Sequence, residues 1–76
     1  MSTSILCPFL APLVAKAAAE HREEGWTVTV HEITKHQAAV VLVQPNELAE
    51  TLVEWFELID GRTFMNYCVQ PQRDDV

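Results

Sequence analysis

The run Ala38-Ala39-Val40-Val41-Leu42-Val43 sets the tightest limit on how this chain folds. It holds six consecutive apolar residues with no polar side chain among them. A strand wetted on one side alternates apolar and polar residues, because successive side chains point to opposite faces. This run does not alternate, so it predicts a strand inside a sheet, covered on both faces. Half of it is β-branched valine, which suits a strand. Gln44-Pro45 then ends it too early for a core helix.

The preceding stretch reads differently. In residues 26–31, Trp26, Val28 and Val30 alternate with Thr27, Thr29 and His31. That is the pattern of a half-buried strand at a sheet edge. Ile33 falls out of phase, which fits a bulge or the strand's end. Residues 34–37 are polar and short enough for a hairpin into the apolar run. Upstream, Pro8 and Pro12 punctuate the chain. Residues 8–11 are expected to turn, and Pro12 suits the first position of a helix. Leu13, Val14, Ala17, Ala18 and His21 share one helical face, and Gly25 ends the helix.

Downstream, Asn46 is a good helix cap, and Glu47 and Glu50 suit the positive end of a helix dipole. Leu48, Leu52, Trp55, Phe56 and Ile59 recur at helical spacing, with Ala49 and Val53 at the margin, and Asp60-Gly61 reads as the stop. Residues 64–69 predict a last strand with Met65, Tyr67 and Val69 toward the core and Cys68 opposite. Residues 3–6 are β-prone and supply a first strand. The expected order is βαββαβ, the α+β ferredoxin-like arrangement: an antiparallel sheet with two helices on one face. Without the short first strand it becomes αββαβ, with a three-stranded sheet. Residues 1–70 form one domain and residues 71–76 a flexible polar tail. A 76-residue chain buries only about 60% of its unfolded surface, so its core is thin and a partner or second copy would add burial.

Net charge is −6, with eleven acidic residues against five basic ones. The basic residues are scattered, which argues against direct nucleic-acid binding. On the expected second helix, Glu47, Glu50, Glu54 and Glu57 form one acidic ridge with no lysine or arginine among them, and Leu58 lies on its flank. Like charges at this spacing destabilise a helix slightly, so the ridge reads as a docking surface for a basic protein surface, with Glu20, Glu23 and Glu24 of the first helix adding to it. Such a partner is a nucleic-acid-binding protein or complex, and the protein an inhibitor that occupies it. Small phage anti-defence proteins, many anti-CRISPRs among them, are similar in size and acidity. The edge strand at 26–31 offers a second mode, pairing with its own copy as a homodimer.

Cys7 and Cys68 lie too far apart in sequence for a metal-type pair, and a reduced, cytoplasmic protein is the simplest expectation. Residues 5–14 are apolar, but Pro8 and Pro12 interrupt them and no basic residue precedes them. No segment is long enough to cross a membrane as a helix. Cys7-Pro8, at the end of a short strand and before a helix, resembles the pair that TusA-type sulfur carriers hold there. The second proline, Pro12, comes two residues later than in that family. The resemblance implies that Cys7 is a reactive thiol carrying a persulfide. The βαββαβ order is also similar to ACT-type domains, which implies a small-molecule regulatory role. His21, His31 and His36 lack metal-ligand spacing. No nucleotide-binding loop or catalytic constellation is present, so no cofactor, metal or enzymatic activity is expected.

Overall fold

The computed structural model describes residues 4–46 and 50–69. One helix, α1 (Leu10–Glu23), precedes four strands: β1 (Thr27–Thr34), β2 (Gln37–Val43), β3 (Thr51–Ile59) and β4 (Thr63–Val69). The strands form one antiparallel meander in the order β1-β2-β3-β4. The chain is therefore α+β, with one helix on a four-stranded sheet. Both expected arrangements, ferredoxin-like βαββαβ and αββαβ, are overturned at the same place: the second helix is strand β3.

The physical reason lies in Thr51–Ile59. Leu52, Phe56 and Leu58 face α1, whereas Val53, Trp55 and Ile59 face away. Threonine, valine, isoleucine and aromatics favour such a pleated surface. Asp60-Gly61 is a hairpin turn instead of a helix stop. Asp60 has φ 54° and Gly61 φ 67°, and the Arg62 N–H donates to the Ile59 carbonyl at 3.0 Å. Two central residues with positive φ make the turn whose twist matches antiparallel strands. Residues 47–49, which include Glu47, Leu48 and Ala49, lie outside the described residues, as do residues 70–76.

The expected first strand is also absent among the described residues. Residues 4–6 pair with no strand, and Thr3 lies outside the described residues. The segment is instead strapped to the far end of the β1–β2 hairpin. The Ser4 hydroxyl donates to the Glu32 carboxylate, the Ile5 N–H donates to Glu32 Oε1 at 3.1 Å, and the Cys7 N–H donates to the Lys35 carbonyl at 2.9 Å. This brings Leu6 into the core.

Helix α1 starts at Leu10, so Pro12 sits inside its first turn, where a backbone N–H has no intrahelical partner to lose. Its end is a Schellman motif. Gly25 takes φ 100°, its N–H donates to the Arg22 carbonyl, and the Trp26 N–H donates to the His21 carbonyl. In β1, register shifts between Glu32 and Thr34, which places the bulge at Ile33.

Leu6, Leu10 and Val14 cover Ala38, Val40, Leu42, Phe56 and Leu58, and Ala18 is buried farther along the helix. This is a two-layer protein whose shortest extent is 19 Å. Helix α1 lies over β1, β2 and β3 and leaves β4 clear. A helix about 10 Å wide spans only about two strand spacings of 4.8 Å, so one helix does not cover four strands. Residues of β4 are accordingly exposed on both faces. Only Phe64, edge-on to Phe9 with centroids 5.9 Å apart, meets the helix end.

Strand β2 is internal, but only one of its faces is covered. Ala38, Val40 and Leu42 are at most 2% exposed, whereas Ala39, Val41 and Val43 face a side that none of the described elements covers. Met65, Tyr67 and Val69 share that open side and are exposed, contrary to the core placement expected for them.

At Gly61 a Cβ would meet no atom within 4 Å, so a side chain there costs only backbone conformation. Gly61→Ala is expected to destabilise the protein by about 1 kcal/mol, lowering the thermal midpoint by roughly 4–8 °C in a melt followed by circular dichroism.

Candidate functional site

Strand register arranges the open face in rows. Thr29, Val41, Val53 and Val69 form one row, and His31, Ala39, Trp55 and Tyr67 the next. Gln37, Glu57 and Met65 follow, and Thr27, Val43 and Thr51 close the opposite end. The centre is aliphatic and aromatic, the β1 edge carries Thr27, Thr29 and His31, and the β4 edge carries Met65, Tyr67 and Val69. Tyr67 and Val69 are 44% and 45% exposed, an unusual state for neighbouring large side chains on one surface.

These rows hold no lysine or arginine and one imidazole, His31; Glu57 is their one carboxylate. Its Oε1 accepts from the Trp55 indole N–H at 2.9 Å, and its Oε2 accepts from the Gln37 amide at 3.3 Å. The polar atom of Trp55 is thus satisfied within the chain. A dry partner can cover the ring without stranding a donor.

The acidic residues expected to form a ridge do not come together. Glu50 is exposed ahead of β3. Glu54 and Glu57 project from opposite faces of the strand. Leu58 is 8% exposed and belongs to the core. Glu20, Glu23 and Glu24 are exposed at the end of α1. Cys7 is half-buried and packs against the core cluster, while Cys68 is exposed on β4. Among the described residues no group of three or more His, Cys, Asp or Glu side chains is arranged to hold a metal ion, and no helix is long and apolar enough to cross a membrane.

Sequence reasoning missed the contact that ties helix to sheet. His21 Nδ1 lies 2.9 Å from Glu24 Oε1, and its Nε2 lies 2.9 Å from Glu54 Oε1. Glu54 also accepts from the Asn66 amide at 3.2 Å. Both imidazole nitrogens face carboxylates, so the doubly protonated ring satisfies both. Burial, the largest single influence, pulls the imidazole pKa down. The two hydrogen bonds and the two negative charges together outweigh it, and the pKa is raised above 6.5. At Glu32 the Ser4 hydroxyl and then the Ile5 N–H hold the carboxyl below its usual range.

The sign for His21 follows from linkage. A raised folded pKa gives a stabilising contribution that is complete below the unfolded value near 6.5 and fades as pH rises through the folded value. In urea melts, the stability lost on His21→Gln is therefore expected to be larger at pH 6 than at pH 8.5. The difference is a few tenths of a kcal/mol to about 1 kcal/mol after solvent screening. For the thiols, exposure decides accessibility. Peptide mass spectrometry after brief maleimide treatment is expected to show Cys68 labelled several-fold ahead of Cys7.

No protein-family model matches the chain, and no curated protein or solved structure is found to match it.

Proposed function

We propose that the protein is a non-enzymatic protein-binding module whose docking surface is the open face of the sheet. The observation that carries this reading is the composition of β2. After Gln37 its side chains are apolar on both faces, yet the described residues cover only one. The neighbouring strands continue the uncovered side with Val53, Trp55, Met65, Tyr67 and Val69. Trp55 lies near the centre of this patch and Tyr67 at its β4 edge, and these are residue types that most often dominate binding energy. The lone carboxylate of the face, Glu57, is held by two N–H donors. A weakly charged sheet face of this kind suits a macromolecular surface.

A second reading rests on charge. The chain carries −6, and Glu20, Glu23 and Glu50 are exposed outside the open face. These carboxylates support contact with a basic surface, such as that of a nucleic-acid-binding protein that this chain would inhibit. The ridge on a second helix is no part of this reading, because β3 separates its members.

The two readings divide on salt. Apolar docking survives high ionic strength, whereas electrostatic capture weakens with it. Wild-type protein and Trp55→Lys are immobilised and challenged with native lysate at low and high salt. The open-face reading expects a protein retained at high salt by the wild type and lost at least tenfold on Trp55→Lys, with the circular dichroism spectrum unchanged. Retention that Glu20→Lys with Glu23→Lys abolishes, and that Trp55→Lys leaves intact, supports the charge reading instead. Equal retention by every variant rules out both surfaces.

A further inference from the structure

We propose that the occupant of the open face is a second copy of this chain, related by a two-fold axis that runs along the strands between β2 and β3. This rests on the reading of that face as the docking surface and names the partner.

The rows make the face complementary to itself. A two-fold axis parallel to the strands keeps each row in place and reverses its order, so β2 meets β3 of the partner and β1 meets its β4. Ala39 then lies opposite the partner's Trp55, the smallest side chain of the row against the largest. Val41 lies opposite the partner's Val53, and Gln37 opposite the partner's Glu57, an amide donor toward a carboxylate. Sheets that pack face to face keep their strands within about 30° of parallel, so this correspondence holds near the axis, where these pairs sit. The other in-plane axis, across the strands, fits worse. Placed on the Trp55 row, it sets Trp55 against its own copy and lays the Glu57 carboxylate on the partner's Val53.

Area and charge agree. Four strands about 4.8 Å apart and seven residues long at about 3.3 Å each give a face of roughly 440 Å² in projection. With the relief of Trp55, Met65 and Tyr67 added, two copies bury about 1,000–1,200 Å², which reaches the lower end of specific interfaces. Each copy carries −6, but the face holds one carboxylate, Glu57, at its rim and already bonded, with His31 at the β1 edge and no lysine or arginine in its rows. Repulsion between copies is therefore long-range and screened by salt, while the contact itself is apolar. Such a dimer tightens as salt rises, opposite to capture of a basic partner.

The test is sedimentation equilibrium of the full chain from about 1 µM to about 500 µM, at low and high salt. The expected result is a mass that rises from 8.6 kDa toward twice that value, at lower concentration in high salt. Ala39→Trp is expected to raise the dissociation constant at least tenfold, and Trp55→Ala likewise. The double variant Ala39→Trp with Trp55→Ala exchanges knob and hole and is expected to return within about threefold of wild type. Circular dichroism melts of each variant verify folding, and Val53→Glu gives an independent disruption of the same contact. A dimer indifferent to these changes, or weakened by salt, overturns the proposal. A chain monomeric throughout overturns it too. If Trp55→Lys still abolishes capture of another protein, the docking face stands and only its occupant was wrong. If Trp55→Lys captures as wild type does, both readings fall.

Discussion

The structure depends on one mismatch of width. The central strand β2 has no polar residue after Gln37, so both its faces favour burial. Helix α1 supplies one cover, over β1, β2 and β3. No second element is available among the described residues for the other face, because the segment after β2 is spent on extending the sheet. Sheet width and helix width then fix the rest. β4 is exposed, the Val53–Tyr67 side is open, and the core is a single layer between Leu10 and Val40, both fully buried.

With so thin a core, the contacts that hold α1 in place matter more than their number suggests. At one end of the helix, Cys7 hydrogen-bonds to Lys35 and the residues before it to Glu32. At the other, His21 joins Glu24 to Glu54 across the helix–sheet gap. Between them, Leu10, Val14 and Ala18 fit against the sheet, and the small side chain of Ala18 permits close approach. The two ends respond to pH in opposite senses. The Glu32 carboxylate strap is complete above the ordinary carboxyl range and lost as pH falls through its lowered value. The His21 clasp is complete below 6.5 and lost as pH rises through its raised value. Between those limits both hold, so the helix is fastened at both ends across mildly acidic conditions.

Much of the first half was legible in the sequence. Gly25 marked the helix end, alternation marked β1 as an edge, and the unbroken apolar run marked β2 as internal. The second half was misread for a physical reason. Glu47, Glu50, Glu54 and Glu57 recur at helical spacing, and that period outweighed the strand-forming residues between them. Each described member has its own local setting: Glu54 answers His21 on the helix side, Glu57 answers Trp55 and Gln37 on the other, and Glu50 precedes the strand. The stronger signal was Asp60-Gly61, which between apolar strands favours a tight hairpin turn; Asp60, Gly61 and Arg62 separate the paired Ile59 and Thr63. Met65, Tyr67 and Val69 do share one face, as their spacing required. Which face could not be read, because that depends on there being one helix instead of two.

Charge placement completes the argument about the open face. A protein with a bare apolar sheet face invites stacking without limit, unless something makes the association closed. Face-to-face pairing of two copies consumes both open faces and turns both helices outward. The outer surface then carries the exposed glutamates of α1 and its flank together with exposed Lys16 and Arg22, so a third copy meets a largely charged, wetted helix in place of a continuous apolar sheet. The outer backbone of β1 is guarded as well, by the bulge at Ile33, the strap on Glu32, and Arg22, whose guanidinium donates to the Val28 carbonyl at 3.5 Å. A net charge of −6 does little for the fold of such a small chain. In the proposed dimer its physical effect would be to repel further copies at a distance while leaving the weakly charged face free to close on one.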